Sequence, residues 1–191
     1  MTSASKSNAG LAGAEVVAQN ASQRDVSFVP AWRLRDKRIE QGATEFWRRH
    51  NLMSEPVIEE RISQLCAAGY VGEGIVALST AEPFEWMGLR FLEYRCSVSP
   101  SYRHREITWR LTAFVYALTE KWSLENPQEK IVGLLAAMEA SEFIGHLALP
   151  VLSKHGLDLA FAGHTPNGHQ LRAMCYKHAN VEASILNPIQ L

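Results

Sequence analysis

A chain of 191 residues, 47% apolar and 20% charged, fits one domain with a proper core and has the make-up of a soluble globular protein. Its formal net charge of -1, with no long basic run, gives no reason to expect nucleic acid or an anionic membrane as partner. No apolar run approaches bilayer-spanning length, so no membrane span and a cytoplasmic location are expected.

The opening, MTSASKSNAGLAGAEVVAQNASQ, has one lysine and no compact apolar core, so it does not read as a secretory signal. Its Ser, Ala, Asn and Gly content suits a flexible leader over residues 1–24, leaving 25–191 as a single domain. Cys66, Cys96 and Cys175 are odd in number and widely spaced, which suits neither a disulfide framework nor a zinc site.

DVSFVPAWRL reads as a short strand or extended segment. In DKRIEQGATEFWRRH, Ile39, Ala43, Phe46 and Trp47 fall on one helical face. SEPVIEERISQLCAAG reads as a second helix, with Ser54 as N-cap, Pro56 in the first turn, and Gly69 just past the end. GIVALST is a strand that AEPFEW closes as a turn or loop. GLRFLEYRCSV is a longer strand or pair of strands. Ile107, Leu111, Phe114, Leu118 and Trp122 recur at three- and four-residue steps and predict an amphipathic helix over 105–122. IVGLLAAM, continuously apolar, predicts a strand covered on both faces.

SEFIGHLAL reads as a helix that Pro150 kinks or ends, and Gly156 closes that segment. The last part, DLAFAG to QLRAMCYKH, reads as a hairpin turning at Asn167-Gly168. Strand 89–98, helix 105–122 and strand 131–138 form a crossover that makes the two strands parallel. The hairpin adds antiparallel strands. The expected fold is therefore α/β, a mixed sheet with helices on both faces.

One stretch joins these elements in a telling order: VSPSYRHREITWRL, an arginine-rich link between strand and helix. It resembles the pyrophosphate loop of the GNAT N-acetyltransferase superfamily, V-x-P-x-Y-R-G-x-G-I-G-x-x-L. Val98, Pro100, Tyr102, Arg103, Ile107 and Leu111 match, while Glu106 and Thr108 stand where the family has glycines. IVGLLAAMEASEF is similar to the family's next strand and its exit, and SKHGL to its E-K-x-G-F, so the likeness runs from about Val71 to Lys177. The family's usual tyrosine acid is replaced by Leu152. The resemblance implies a mixed, mostly antiparallel twisted sheet with a central splayed pair of parallel strands.

It also implies chemistry: an acyl group, acetyl or longer, passing from a thioester donor to an amine on a small molecule or peptide. Glycines in such a loop let backbone N–H groups reach phosphate oxygens. Without them, Arg103, His104, Arg105 and Arg110 are left to grip the anion, with Thr108 offering a hydroxyl. Glu106 is expected to turn outward and pair with Arg110, four residues on. A donor with fewer phosphates eases the loss of glycine, which allows acyl carrier protein with its acyl-phosphopantetheine arm beside acyl-CoA. No metal is expected. The donor-binding residues are then Val98, whose backbone N–H polarises the thioester carbonyl, with Arg103, His104, Arg105 and Thr108.

Glu93 is the carboxylate available as base, and Cys96, near the splay, is a candidate covalent acyl acceptor. Glu139 and Glu142 follow the second parallel strand, where the family lines its substrate groove. His164 and His169 flank the last turn, within reach of an acceptor pocket. Phe84, Trp86 and Met87 are candidates for lining an acyl tunnel. The other reading is a GNAT fold retained as a binding module without catalysis, which Glu106 and Leu152 favour.

Overall fold

A computed structural model of the chain describes residues 26–103, 105–139, 149–179 and 181. The expected leader, the helix expected over SEFIGHLAL and the C-terminal residues lie outside this set, as does His104; of Arg105 only the backbone is described. Eight strands form one sheet: β1 (Ser27–Pro30), β2 (Leu65–Val71), β3 (Gly74–Trp86), β4 (Leu89–Val98), β5 (Ile131–Met138), β6 (Val151–Lys154), β7 (Leu157–His164) and β8 (Gln170–Cys175). Their spatial order is β1-β2-β3-β4-β5-β8-β7-β6. Among the described residues, only the β4–β5 pairing is parallel. Helices α1 (Lys37–Arg49) and α2 (Glu55–Ile62) lie between β1 and β2 in sequence, and α3 (Arg105–Glu125) connects β4 to β5. This is the fold expected from the sequence, a mixed GNAT-like sheet with a parallel pair at its centre. No helix among the described residues is long and apolar enough to cross a membrane.

Helices cover both faces. Ile39, Ala43, Phe46 and Trp47 of α1 and Ile58 of α2 pack with Leu65, Ala68 and Leu78 on one side. Ile107, Leu111 and Val115 of α3 pack with Leu92, Tyr94, Leu134 and Met174 on the other. Asp36 starts α1 by accepting from the backbone N–H of Arg38 at 2.8 Å.

Two boundaries differ from the sequence reading. The second helix stops at Ile62, and LCAAGYV is strand β2 instead of helix continued to Gly69. Its small residues pass local helix propensity but fit a strand buried between β1 and β3. Ala67 and Ala68 are fully buried, and a side chain at Gly69 would meet the Phe28 ring at 3.1 Å. Strand β3 likewise runs on through AEPFEW to Trp86, pairing with β4 to the Trp86–Leu89 turn. Pro83 is tolerated because β2 ends its pairing at Thr80, leaving that side of β3 without a neighbouring strand to receive an N–H. A further strand, β6, precedes the expected hairpin. It turns into β7 through His155 and Gly156, both at positive φ (52° and 75°), as a tight two-residue turn requires.

Candidate active site

The parallel pairing of β4 and β5 ends at Tyr94–Ala136, four residues before β4 itself ends. Past that point the strands no longer pair. Ser99 N–H donates to Val76 of the β3 side at 2.8 Å, so alternation along β4 turns the backbone N–H groups of Cys96 and Val98 the other way, into the opening. A cavity of about 520 Å³ occupies this gap. Its lining comes from both faces: Trp47, Leu52, Met53 and Arg61 from the α1–α2 side, and Thr108, Trp109 and Thr112 from α3. The cavity therefore spans the thickness of the sheet.

On the α1–α2 side the wall is charged. Glu93 and Arg95 are two apart on β4 and share a face, and Glu82 sits directly opposite Glu93 on β3. Two carboxylates so placed repel. Arg95 lies between them, with one guanidinium nitrogen 3.2 Å from Glu82 and the other paired to Glu93. Arg61, in the last turn of α2, reaches the same Glu82 oxygen at 3.2 Å, and Gln64 donates to the other at 2.9 Å. Glu93, Arg95 and Arg61 line the cavity, while Glu82 stands behind and holds both arginines.

The α3 side is more apolar. Thr112 donates its hydroxyl to the Thr108 carbonyl at 2.8 Å, so Tyr94, 3.1 Å from that hydroxyl oxygen, is its donor. Burial holds the Tyr94 phenol well above its ordinary pKa, so it stays protonated. Burial also pushes the Cys96 thiol up to about 11. Cys96 packs against the α3-side core, on the face opposite Glu93.

At the mouth on this side α3 begins, and the N–H groups of its first turn have no intrahelical acceptor. Arg103 precedes it, exposed, with Nε 3.5 Å from the Val98 carbonyl. Glu106 turns outward, but not to Arg110. It accepts from Lys154 and lies 2.7 Å from His155 Nε2, both at the β6–β7 turn. Lys154 above all, and then His155, hold its carboxyl below the ordinary value of 4.5. Arg110 instead donates to the Val26 carbonyl at 3.2 Å and covers the Phe28 ring, which ties down the chain ahead of β1. It is thereby removed from the expected anion grip.

Of the residues singled out from sequence, Glu93, Cys96, Val98, Arg103, Thr108 and Glu139 all line this one cavity. Glu142 lies outside the described residues. His164 and His169 are not among its lining, and the His164 ring packs on Phe161. Phe84, Trp86 and Met87 do not form a tunnel: they belong to the β3–β4 hairpin end, away from the gap, and Trp86 donates to the Ala162 carbonyl at 3.2 Å. Leu152, expected to stand where the resembled family has its acid, is buried in the α3-side core. Sequence reasoning missed Arg61, Trp47, Leu52 and Met53. Trp47 and Arg61 lie on the helices that precede the strands, and Leu52 and Met53 on the link between them, with no sequence signal tying them to the site. A Ser123–His178–Glu120 cluster has the residue types of a hydrolytic triad. The Ser123 hydroxyl, however, is buried and donates to the Ile131 carbonyl at 2.9 Å, so it ties the start of β5 to α3.

No family model matches the chain, and no curated protein matches it in sequence. Among solved structures it is similar to an N-acetyltransferase from Staphylococcus aureus Mu50, at 12% identity and a TM-score of 0.45 over 79% of this chain and 96% of that one. It is also similar to the aminoglycoside 6'-N-acetyltransferase from Enterococcus faecium, at 14% and 0.45 over 78% and 95%. Tetrahymena GCN5 matches at 10% and 0.42 over 82% and 99%. The fold assignment itself rests on the strand order and the single parallel pair that splays.

Proposed function

We propose that the protein is an N-acyltransferase, moving an acyl group from a thioester donor to an amine. The observation that carries this is the cavity through the splayed sheet. Two backbone N–H groups face it, and a carboxylate lines the wall on one side. The donor enters from the α3 side and the amine from the α1–α2 side. Glu93, directly or through water, takes a proton from the ammonium. The amine nitrogen then attacks the thioester carbonyl carbon. The N–H groups of Val98 and Cys96 stabilise the charge gathering on its oxygen. The C–N bond forms, the C–S bond breaks, and the sulfur leaves as a thiolate. The nitrogen loses its second proton to solvent as the amide forms, and the thiolate takes a proton from solvent. The products are an amide and a free thiol.

The α3 start suits a phosphate despite its lack of glycine. The first-turn N–H groups and the positive end of the helix dipole face outward there, Arg103 adds a full charge, and Lys154 and His155 draw the Glu106 carboxylate aside. Acyl-CoA and an acyl-phosphopantetheine arm share this anion and the thioester, and the two are separated by experiment. CoA, acetyl-CoA and an acyl carrier protein are each added in a thermal-denaturation assay. A donor at a hundred times its Kd raises Tm by about 5–10 °C. R103A weakens that donor about tenfold or more, through loss of a charge-assisted contact. E106G strengthens CoA binding by removing a carboxylate from the anion's surroundings. Absence of a shift with all three ligands sinks the transferase reading. It would leave the second reading, a binding module, which the apolar Leu152 at the acid position favours.

A further inference from the structure

We propose that the amine accepted here also carries a carboxylate, and that Arg61 and Arg95 read it: the acceptor class is an apolar α-amino acid. The inference rests on the transferase reading above and deepens it.

Around Glu93 the wall presents two guanidinium groups and that carboxylate, with a second carboxylate, Glu82, set behind them and a third, Glu139, at the exposed end of β5. Arg61 spends Nη1 on Gln64 and Glu82, and Arg95 spends Nη1 on Glu82 and Nη2 on Glu93. Among the described residues, the Nε of both and Nη2 of Arg61 enter none of these bonds. Arg61 is mostly buried, its side chain 16% exposed, so an anion meeting it is partly desolvated and strongly held. Glu93 beside Arg61 and Arg95 sets both signs of charge side by side, which matches a zwitterion. A diamine would set its second cation against two arginines, a repulsive contact that selects against it. Trp47, Leu52 and Met53 complete this wall with apolar surface, which suits an apolar side chain.

The arrangement couples recognition to chemistry. Arg95 is bound to Glu93. An amino acid placed between them sets its ammonium on Glu93 and its carboxylate on Arg95 and Arg61. One ion pair becomes two, and Glu93 is released from Arg95 to accept the amine's proton. An amine lacking the carboxylate leaves Glu93 tied to Arg95. The carboxylate therefore improves kcat as well as KM.

Matched pairs test this with the full chain and acetyl-CoA: L-phenylalanine against 2-phenylethylamine, and L-leucine against 3-methylbutylamine. The amino acids are expected to have kcat/KM about 10- to 100-fold higher, the range for losing a bidentate charged contact. R61M is expected to bring each pair towards parity, and R61K to restore part of the difference. Equal or better acylation of the plain amines overturns the proposal, as does a wild-type preference that R61M leaves untouched. If neither member of either pair is acylated, the transferase reading takes the blow. The inference is then decided by NMR titration of the same four compounds. Selective binding of the amino acids, weakened in R61M, upholds it, and equal or absent binding ends it.

Discussion

Glu93 and Cys96 stand three residues apart on β4, and an odd separation along a strand sends them to opposite faces. Glu93, the proposed base, faces the α1–α2 side, where Arg95 holds it. The thiol faces the α3 core and stays protonated until the pH nears its raised value of about 11. Their substitutions should therefore separate. E93Q is expected to lower kcat about 100-fold, the usual worth of a positioned base, with CoA binding retained. C96A should leave kcat/KM within a factor of about 3, because a protonated thiol is neither nucleophile nor charge. Intact mass measured during turnover should show no acyl group on the chain. An acylated protein whose label disappears in C96A would establish a covalent route and displace direct transfer.

Strand β5 forms one wall of the opening, and its neighbour β8 presses close on the other side. At Gly133 an added Cβ would lie 2.3 Å from the Met174 carbonyl oxygen and 2.9 Å from the Cys175 Cα. Both obstacles are backbone, so no side chain can swing aside. G133A should push β5 and β8 apart and cost about 3 kcal/mol or more, at the severe end for a single added methyl group. Chemical denaturation measures this, and a midpoint equal to wild type would show that the strands yield freely. The same scale explains where sequence reading went astray. Strand β2 carries an Ala-Ala-Gly run, which locally favours helix or turn, and only pairing with both neighbours makes it a strand. The AEPFEW segment contains proline, and only its position beside the end of β2 makes that proline harmless.

Across the whole molecule, the contact of Glu106 with Lys154 and His155 joins the start of α3 to the β6–β7 turn, 48 and 49 residues away in sequence. Its carboxyl lies below 4.5 in the folded chain, chiefly through Lys154. A carboxyl lowered on folding stabilises the native state above its unfolded pKa, and that contribution is lost as the pH falls through the lower folded value. The Tm difference between wild type and E106Q should therefore be steady at neutral pH, shrink below pH 4.5 and vanish in stronger acid. Scans of both proteins across that range check it. A difference that persists undiminished into acid would mean that the contact's charge contributes nothing.

The sequence alone determined the crossover of strand, helix and strand. Its apolar periodicity and the unbroken run IVGLLAAM reflect burial that any fold of this chain must satisfy. It also placed Arg103 just before the start of α3, because the two are adjacent in the chain. Only the tertiary structure decided which charges meet. Arg110 went to Val26, Glu106 to Lys154 and His155, and Arg61 to Glu82, each partner at least 21 residues distant. Local spacing proposes neighbours one helical turn away. A charged side chain settles instead where folding brings an opposite charge or an unfilled backbone acceptor into reach. That is why the cavity wall holding Arg61 and Arg95 was the part of the candidate site least legible from the residues in order.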